Sequence, residues 1–376
     1  MTSTAKIIAV ILVNLVLTGL VGELVVRAFY EPLDYLEPER ADDEVLSFRL
    51  LPGSGAHDAW GFRNLEVPES AAVVALGDSW TYGIAAKTSE SWPSWLARNT
   101  HQRVYNLGVY GYGPTDYLHL LNTRALSLEP NAIVLGLSYA TDFLDAYVRV
   151  YRADAWAHLR SANGLPGTLN EENSLVRDWN AFRGKLRRQS LLFQVIERGP
   201  IGRSINELAG RYKVEIGPRC LLQTVGPFET ILIPDFGFRG MNLEDPRVRE
   251  GIEISLAVLE EIAETTARRD VRLLIALFPT KERVFAGRLT ETTKPECLET
   301  LHRLMEFEAT VDSRIRSFLE AHDIEYVELM PALERVSQER EIFPRSPDLH
   351  PNSAGYRVIS DVIAEALVSG RTTSAP

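Results

Sequence analysis

The chain has 376 residues, of which 45% are apolar and 24% are charged, and its formal net charge at pH 7 is −11. This composition predicts a folded chain with one large domain or two modest ones, and it argues against long disorder. The acidic balance disfavours nucleic-acid binding, because a protein that holds phosphate backbones needs a basic surface.

An apolar segment occupies residues 7–26 near the amino terminus. Twenty helical residues span roughly 30 Å, the thickness of one hydrocarbon core. Lys6 precedes the segment and acidic residues follow it, which favours an amino terminus on the cytoplasmic side. A buried soluble helix is disfavoured because the segment is apolar on all faces. A cleaved signal peptide is the main alternative, but no A-x-A site and no cysteine for lipidation follows the segment. We therefore expect a single-pass cell-membrane anchor, with the rest of the chain extracytoplasmic in the periplasm.

Short apolar strands alternate with helical patterns through most of the remaining chain. The predicted strands are Ala71–Leu76, Arg103–Gly108, Asn131–Tyr139, Val271–Phe278 and Ile324–Leu329. The predicted helices cover about residues 91–99, 117–126, 246–269, 298–321 and 353–368. This alternation predicts a three-layer α/β fold, in which a five-stranded parallel sheet has helices on both faces. In such sheets, ligands bind at the carboxyl ends of the strands.

The alternation fails between residues 150 and 245, which we interpret as an insertion. Residues 178–199 resemble a basic amphipathic helix, which either contacts anionic lipid or acidic glycan or is simply a solvated helix face. Residues 230–238 resemble an extra strand. The predicted organisation is an anchor (1–28), a lead-in segment (29–68), the first part of the core (69–150), the insertion (151–245) and the second part of the core (246–376).

Ser79 and His350 are the strongest candidates for chemistry. Ser79 follows the first strand in the sequence VVALGDSWTYG, and His350 follows the fifth strand region in SPDLHPNSAGY. A serine hydroxyl becomes a useful nucleophile when a base, most often histidine, removes its proton. Asp348 lies two residues before His350 and is placed to orient its imidazole. The backbone N–H groups of Ser79 and Gly111 are candidate donors to a tetrahedral oxyanion.

Four sequence blocks in this order resemble those of SGNH/GDSL hydrolases. The blocks are GDSW with Ser79, NLGVYG with Gly111, the Thr-Asp pair after the third strand, and DLHPN with His350. The chain is most similar to bacterial membrane-anchored members, in which an apolar segment and a GFR-type stretch, here WGFR, precede the serine block. The resemblance implies a flavodoxin-like sheet and ester hydrolysis or acyl transfer, with Ser79 as nucleophile and His350 as base. It also implies an oxyanion hole that includes the N–H groups of Ser79 and Gly111.

Two positions depart from the pattern of this family. Members usually have asparagine as the third oxyanion donor, where this chain has Thr141, whose hydroxyl is shorter and stiffer at χ1. Members also usually space the acid as Asp-x-x-His, where this chain has Pro347 in that place and Asp348 two residues before the histidine. We expect Asp78 and Asp142 to bind loop backbone and not to act as catalytic acids.

Weaker signals concern substrate contacts and cysteines. Lys281 follows the fourth strand and is a candidate for holding an anionic group, with a surface ion pair as the alternative. Tyr112 and Tyr139 are candidates for stacking on sugar rings, with core packing as the alternative. Cys220 and Cys297 either pair as a disulfide or are two buried thiols. The sequence has no metal-ligand constellation and no nucleotide-type glycine loop, so we expect neither a metal nor a cofactor.

Three functions are therefore compatible with the sequence. The leading hypothesis is a membrane-anchored extracytoplasmic serine esterase that cleaves acyl esters, acetyl groups on cell-envelope glycan among them. The second is an O-acyltransferase that uses the same three residues to acylate a glycan. The third is a non-catalytic binding module with a degenerate site. The expected partners are an acyl ester or acylated glycan and, through residues 7–26, a membrane, but not nucleic acid.

Overall fold

The computed structural model describes residues 3–161, 184–198, 222–223, 228–289 and 295–369. Its centre is a five-stranded parallel sheet. The strands are β1 (Val73–Leu76), β2 (Val104–Asn106), β3 (Ala132–Ser138), β4 (Arg272–Phe278) and β5 (Glu325–Glu328). They lie in the order β2-β1-β3-β4-β5, and each neighbouring pair is parallel. This confirms the predicted α/β fold and its five-stranded sheet.

The described residues include a series of α-helices. They are α1 (Ser3–Phe29), α2 (Ser79–Tyr82), α3 (Trp92–Thr100), α4 (Pro114–Thr123), α5 (Asp142–Arg152), α6 (Leu191–Arg198), α7 (Pro234–Met241), α8 (Pro246–Ala267), α9 (Lys281–Phe285), α10 (Pro295–Ala321), α11 (Met330–Ser337) and α12 (Ser353–Ser369). Residues 184–189 are also helical and lead through Ser190 into α6.

Both faces of the sheet are buried. Successive residues of a strand point to opposite sides of the sheet, so a strand contributes side chains to the core on each face. In β3, Ile133, Leu135 and Leu137 pack into one core cluster, whereas Ala132 and Val134 pack into the other. The first cluster lies under α4, α5, α8 and most of α10. The second lies under α3, α9, α11 and α12. The sheet and its two helical layers therefore form the predicted three-layer arrangement.

The lead-in segment packs on this core over much of its length. A 3₁₀ turn at Pro32–Asp34 follows α1, and Arg40–Ala41 pairs with Arg49–Leu50 in a small antiparallel ribbon. Leu33 and Leu36 are buried, and Leu50 and Phe62 belong to the first core cluster. The segment is thus part of the folded body.

The described part of the insertion differs from prediction in one place. Ile231–Leu232 forms a two-residue strand that pairs with Leu222–Gln223, but the helix α7 begins at Pro234. The extra strand predicted over residues 230–238 is therefore wrong beyond its first residues. Proline is well suited to the first turn of a helix, where its missing N–H would have no helical partner. Residues 178–183 and 199 of the predicted basic helix, Arg183 among them, lie outside the described residues, as does Cys220.

The apolar helix α1 is long enough and apolar enough over Ala5–Phe29 to cross a membrane. None of its most apolar stretch is buried against the rest of the chain. A signal sequence meets the same criteria of length and apolar composition. Within the described residues, α1 is therefore a candidate membrane span near the amino terminus.

Candidate active site

Ser79 is held at the carboxyl edge of the sheet by a tight turn. The turn begins after β1 at Gly77, whose φ of +151° suits glycine, and a Cβ there would meet the Thr81 hydroxyl at 2.2 Å. The Asp78 carboxylate then accepts a hydrogen bond from the Trp80 N–H at 2.9 Å and so caps α2. Ser79 is the first residue of α2 and follows the carboxyl end of β1 by three residues. It therefore lies at the edge of the sheet where the other parallel strands also end.

His350 reaches Ser79 from the loop before α12. The His350 Nε2 atom lies 2.8 Å from the Ser79 Oγ, across 271 residues of sequence. The His350 Nδ1 atom lies 2.7 Å from the Asp348 Oδ1, which also accepts the backbone N–H of His350 at 3.0 Å. The Asp-x-His spacing therefore allows the carboxylate to contact both the ring and the backbone of the same histidine. The resulting chain of contacts, Asp348 to His350 to Ser79, has the geometry of a nucleophile, its base and the group that orients the base.

The ionisation of Asp348 is favoured by its surroundings. Burial raises the pKa of this carboxyl, but the hydrogen bonds and charge of His350 and the nearby Lys281 ammonium outweigh it, and its pKa is lowered overall. Asp348 is thus an anion at neutral pH. In this state it is an acceptor for an Nδ1 proton, and in that tautomer of His350 the Nε2 atom can take the proton of the serine.

Lys281 occupies a position that its sequence context did not predict. The side chain is 1% exposed, and its ammonium donates to the backbone oxygens of Ile231 (3.0 Å), Ser346 (2.9 Å) and Asp348 (2.7 Å). The alternatives of a substrate contact and a surface ion pair are therefore both wrong, because all three ammonium protons have backbone acceptors. Lys281 instead joins the insertion, at Ile231, to the loop that carries Asp348.

Gly111 lies in the loop after β2 and Thr141 lies directly before α5, and their roles in an oxyanion hole stay predictions. Gly111 is exposed and has a φ of +79°, a region that favours glycine, and a Cβ there would meet only the ring of Phe48 at 3.7 Å. The Thr141 hydroxyl lies 3.4 Å from the Asp78 Oδ2, which also lies 3.4 Å from the Ser79 Oγ. Thr141 is therefore joined to Ser79 through Asp78.

Asp78 and Asp142 bind the loops that surround the serine. Asp142 accepts the backbone N–H of Ser138 at 2.9 Å and the hydroxyl of Tyr117 at 2.9 Å. Burial raises the pKa of both Asp78 and Asp142. These contacts agree with the expected backbone-binding roles.

The two tyrosines predicted as sugar contacts are core residues. Tyr112 is 1% exposed and donates to the carbonyl of Phe48 at 2.5 Å, and Tyr139 is 2% exposed and donates to Asp312 at 2.9 Å. Neither ring is available for stacking on a ligand, so the alternative of core packing holds for both.

Asn106 and Arg63 fix the loops of the site and were not singled out as functional. The Asn106 amide donates to the Thr81 carbonyl at 2.9 Å, and its oxygen accepts the Gly108 N–H at 2.8 Å. Gly108 packs directly on α2, since a Cβ there would meet the backbone N of Tyr82 at 2.3 Å. Arg63, in the WGFR stretch, is 4% exposed and donates to the Gly83 carbonyl at 2.7 Å. The sequence signals that could have identified them are the motifs in which they lie, NLGVYG for Asn106 and WGFR for Arg63.

A groove of about 700 Å³ adjoins these loops. Its lining combines the lead-in segment with the loops of the site; the residues are Asp34, Tyr35, Leu36, Glu37, Arg63, Tyr82, Ile84, Ala85, Ala86, Lys87, Glu90, Tyr110 and Asp348. Tyr82 belongs to the helix of Ser79, Tyr110 precedes Gly111, and Asp348 contacts His350. The groove is therefore bordered by three of the loops that bring the predicted site residues together.

The carboxyl-terminal part of the chain is similar to proteins of the SGNH hydrolase type. Residues 238–375 match the family model described as the SGNH hydrolase-like domain of acetyltransferase AlgX. This match confirms the resemblance to SGNH hydrolases; it includes Asp348 and His350 and lies after Ser79. No curated protein matches the chain.

Several solved structures are similar to this chain at low identity. A GDSL-like lipase from Bacteroides thetaiotaomicron is 11% identical, with 79% of this chain and 88% of that chain covered and a TM-score of 0.36. The lipase/acylhydrolase from Enterococcus faecalis is 11% identical, with 81% and 99% covered and a TM-score of 0.35. An acetylxylan esterase from Geobacillus stearothermophilus, in a catalytic mutant, is 10% identical, with 81% and 96% covered and a TM-score of 0.36.

Proposed function

We propose that this protein is a membrane-anchored extracytoplasmic serine esterase that removes acyl groups, acetyl among them, through an acyl-enzyme on Ser79. The observation that carries the proposal is the continuous contact from Asp348 through His350 to the Ser79 hydroxyl, at 2.7 and 2.8 Å. The apolar helix α1 supports the anchor.

The proposed reaction follows from this geometry. The Ser79 Oγ attacks the ester carbonyl while His350 Nε2 takes the hydroxyl proton. The backbone N–H groups of Ser79 and Gly111, with the Thr141 hydroxyl, donate to the oxyanion that forms. The intermediate then collapses as His350 returns the proton to the leaving alcohol, which gives the acyl-enzyme. In the second half, water attacks the acyl-enzyme while His350 Nε2 takes a proton from it. The bond between the acyl carbon and the Ser79 Oγ then breaks, His350 returns the proton to the Oγ, and the acid is released.

Reaction with a fluorophosphonate probe tests the nucleophile. The wild-type chain is expected to be labelled and to cleave 4-nitrophenyl acetate, whereas Ser79→Ala loses both properties. Ser89→Ala is a matched control, because Ser89 is exposed and lies ten residues along the chain. A wild-type chain that neither reacts with the probe nor cleaves the ester contradicts the proposal and favours the non-catalytic module.

Acyl transfer to a glycan is the second candidate. The match of residues 238–375 to a domain described for an acetyltransferase favours it. A sugar hydroxyl would replace water in the second half of the reaction, with His350 Nε2 taking its proton. Product analysis with an acetyl donor and an oligosaccharide separates the two candidates: acetylated sugar supports transfer, and free acetate alone supports hydrolysis.

A further inference from the structure

The groove beside the catalytic residues begins close to the end of the anchor helix. The helix α1 ends at Phe29, and Asp34 already lines the groove. Five residues of fully extended chain span at most about 18 Å. The wall of the groove therefore lies within that distance of the last residue of α1.

The segment between the helix and the groove is fastened to the body. The Leu33 carbonyl accepts hydrogen bonds from Arg63 and from the Thr88 hydroxyl, each at 3.4 Å. The Asp34 carboxylate accepts the Thr88 N–H at 2.6 Å. Because Arg63 also binds the loop that follows α2, this segment cannot act as a long flexible tether that lets the groove turn away from the anchor.

A second joint links the anchor helix to the insertion. Glu23 of α1 accepts hydrogen bonds from the Ser190 hydroxyl (2.9 Å) and from the backbone N–H groups of Leu191 (2.9 Å) and Leu192 (3.0 Å). It also pairs with Arg27 at 2.8 Å. The carboxylate thereby satisfies free N–H groups at the start of α6 and favours its dipole. This acid, which interrupts the apolar segment, therefore has a structural partner in the insertion.

Close packing continues from this joint to the lead-in segment. A Cβ on Gly22 would meet the Leu192 side chain at 2.9 Å, so the two helices touch. The Gln189 amide donates to the Glu39 carboxylate at 3.4 Å. The anchor, the helical part of the insertion and the segment that lines the groove are thus in direct contact.

The helical part of the insertion has the charge and apolar surface of an interfacial helix. Residues 184–198 include one acid, Glu197, and four basic residues, in a chain whose net charge is −11; the basic residues are Lys185, Arg187, Arg188 and Arg198. Ile196 is 44% exposed on the same stretch. Arg187 pairs with Glu197 at 2.7 Å, whereas Lys185 is exposed. Basic residues are attracted to an anionic lipid surface, and an exposed apolar side chain adds burial in the interface.

We propose that residues 184–198 pack on the end of α1 and lie in the headgroup layer of an anionic lipid surface. In this position they keep the groove facing that surface. The proposal rests on the membrane anchoring and esterase activity proposed above. Its consequence is that the ester substrate is met at the membrane surface and not in bulk solution.

The test places a fluorescent amino acid at one of three positions in the full chain, reconstituted in phosphatidylcholine nanodiscs with a spin-labelled headgroup lipid. The positions are Ile196 on α6, Lys87 on the groove, and Asp323 before β5, at the opposite edge of the sheet. Quenching is expected to be strongest at Ile196, clear at Lys87 and at least several-fold weaker at Asp323. Addition of phosphatidylglycerol should increase quenching at Ile196. Equal quenching at Lys87 and Asp323, or stronger quenching at Asp323, overturns the proposal.

A variant of the joint and an activity assay separate the possible failures. Glu23→Ala removes the acceptor for the start of α6 and should reduce quenching at Ile196, whereas Glu31→Ala, an exposed acid beyond the joint, should not. Unchanged quenching in Glu23→Ala contradicts the proposed docking. Cleavage of 4-nitrophenyl acetate in the same nanodiscs reports on the esterase alone: its absence contradicts the proposed function, whatever the quenching pattern.

Discussion

The Lys281 ammonium donates to the backbone oxygen of Asp348 at 2.7 Å, so a buried lysine supports the loop that carries His350. The same ammonium holds Ser346 and Ile231. The acid of the Asp-x-His motif is therefore fixed from two sides: by His350 through its carboxylate and by Lys281 through its carbonyl.

Replacement of Lys281 should impair catalysis without removing any group that touches substrate. Lys281→Met keeps the apolar stem but leaves three part-buried carbonyls without their donor, at a cost of about 1–3 kcal/mol for each one that water does not reach. A shift of Asp348 by about 1 Å is sufficient for a loss of roughly 10²-fold in kcat/KM. Kinetics with 4-nitrophenyl acetate measure this, and Arg335→Met, at an exposed basic residue of α11 outside the groove, is the control expected to stay near wild type. Wild-type kinetics in a folded Lys281→Met chain would show that Lys281 does not position Asp348.

The pH dependence of activity should report the same lysine. Burial lowers the pKa of Lys281 to about 8, and the neutral amine has two N–H donors for three carbonyls. Activity is therefore expected to fall as the pH rises above about 8. Because the folded pKa lies below the ordinary value, unfolding binds protons between about 8 and 10, and this group makes the fold more stable as the pH rises there. A loss of activity without a loss of thermal stability distinguishes loop loosening from unfolding, and parallel losses contradict the prediction.

Neutralising Asp348 should disturb the histidine more than the fold. Asp348→Asn keeps the size of the side chain but removes the anion that accepts the Nδ1 proton, and losses in kcat up to roughly 10⁴-fold are known for such changes. Asp361→Asn is a control on α12, where the carboxylate binds the Asn99 amide. Fluorophosphonate labelling rates of Ser79 in the two variants measure the reactivity of the serine. Equal rates in both variants would show that His350 does not depend on Asp348.

The sequence predicted the sheet well, because its strands are buried on both faces and appear as short apolar runs. The observed β3 and β4 each lie within one residue of their predicted ends. Lys281 could not be placed in the same way, since a lysine after a strand is ordinarily solvated, and only the fold brings three carbonyls around it. Tyr112 and Tyr139 illustrate the same limit: position near a motif does not tell whether a ring faces a ligand or the core.

Thr141 provides the sharpest test of the predicted oxyanion hole. Its hydroxyl lies 3.4 Å from both Asp78 and Ser138, so it is a weakly held donor that can turn to a nearby oxyanion. Thr141→Val keeps the shape and removes the hydroxyl, and loss of one oxyanion donor costs roughly 10²–10³ in kcat. Such a donor acts in the transition state, so kcat should fall while KM stays nearly constant. Thr141→Ser retains the hydroxyl and should retain most of the activity. If Thr141→Val instead matches wild type, stabilisation of the oxyanion depends on the backbone N–H groups of Ser79 and Gly111, and the threonine serves only to hold Asp78.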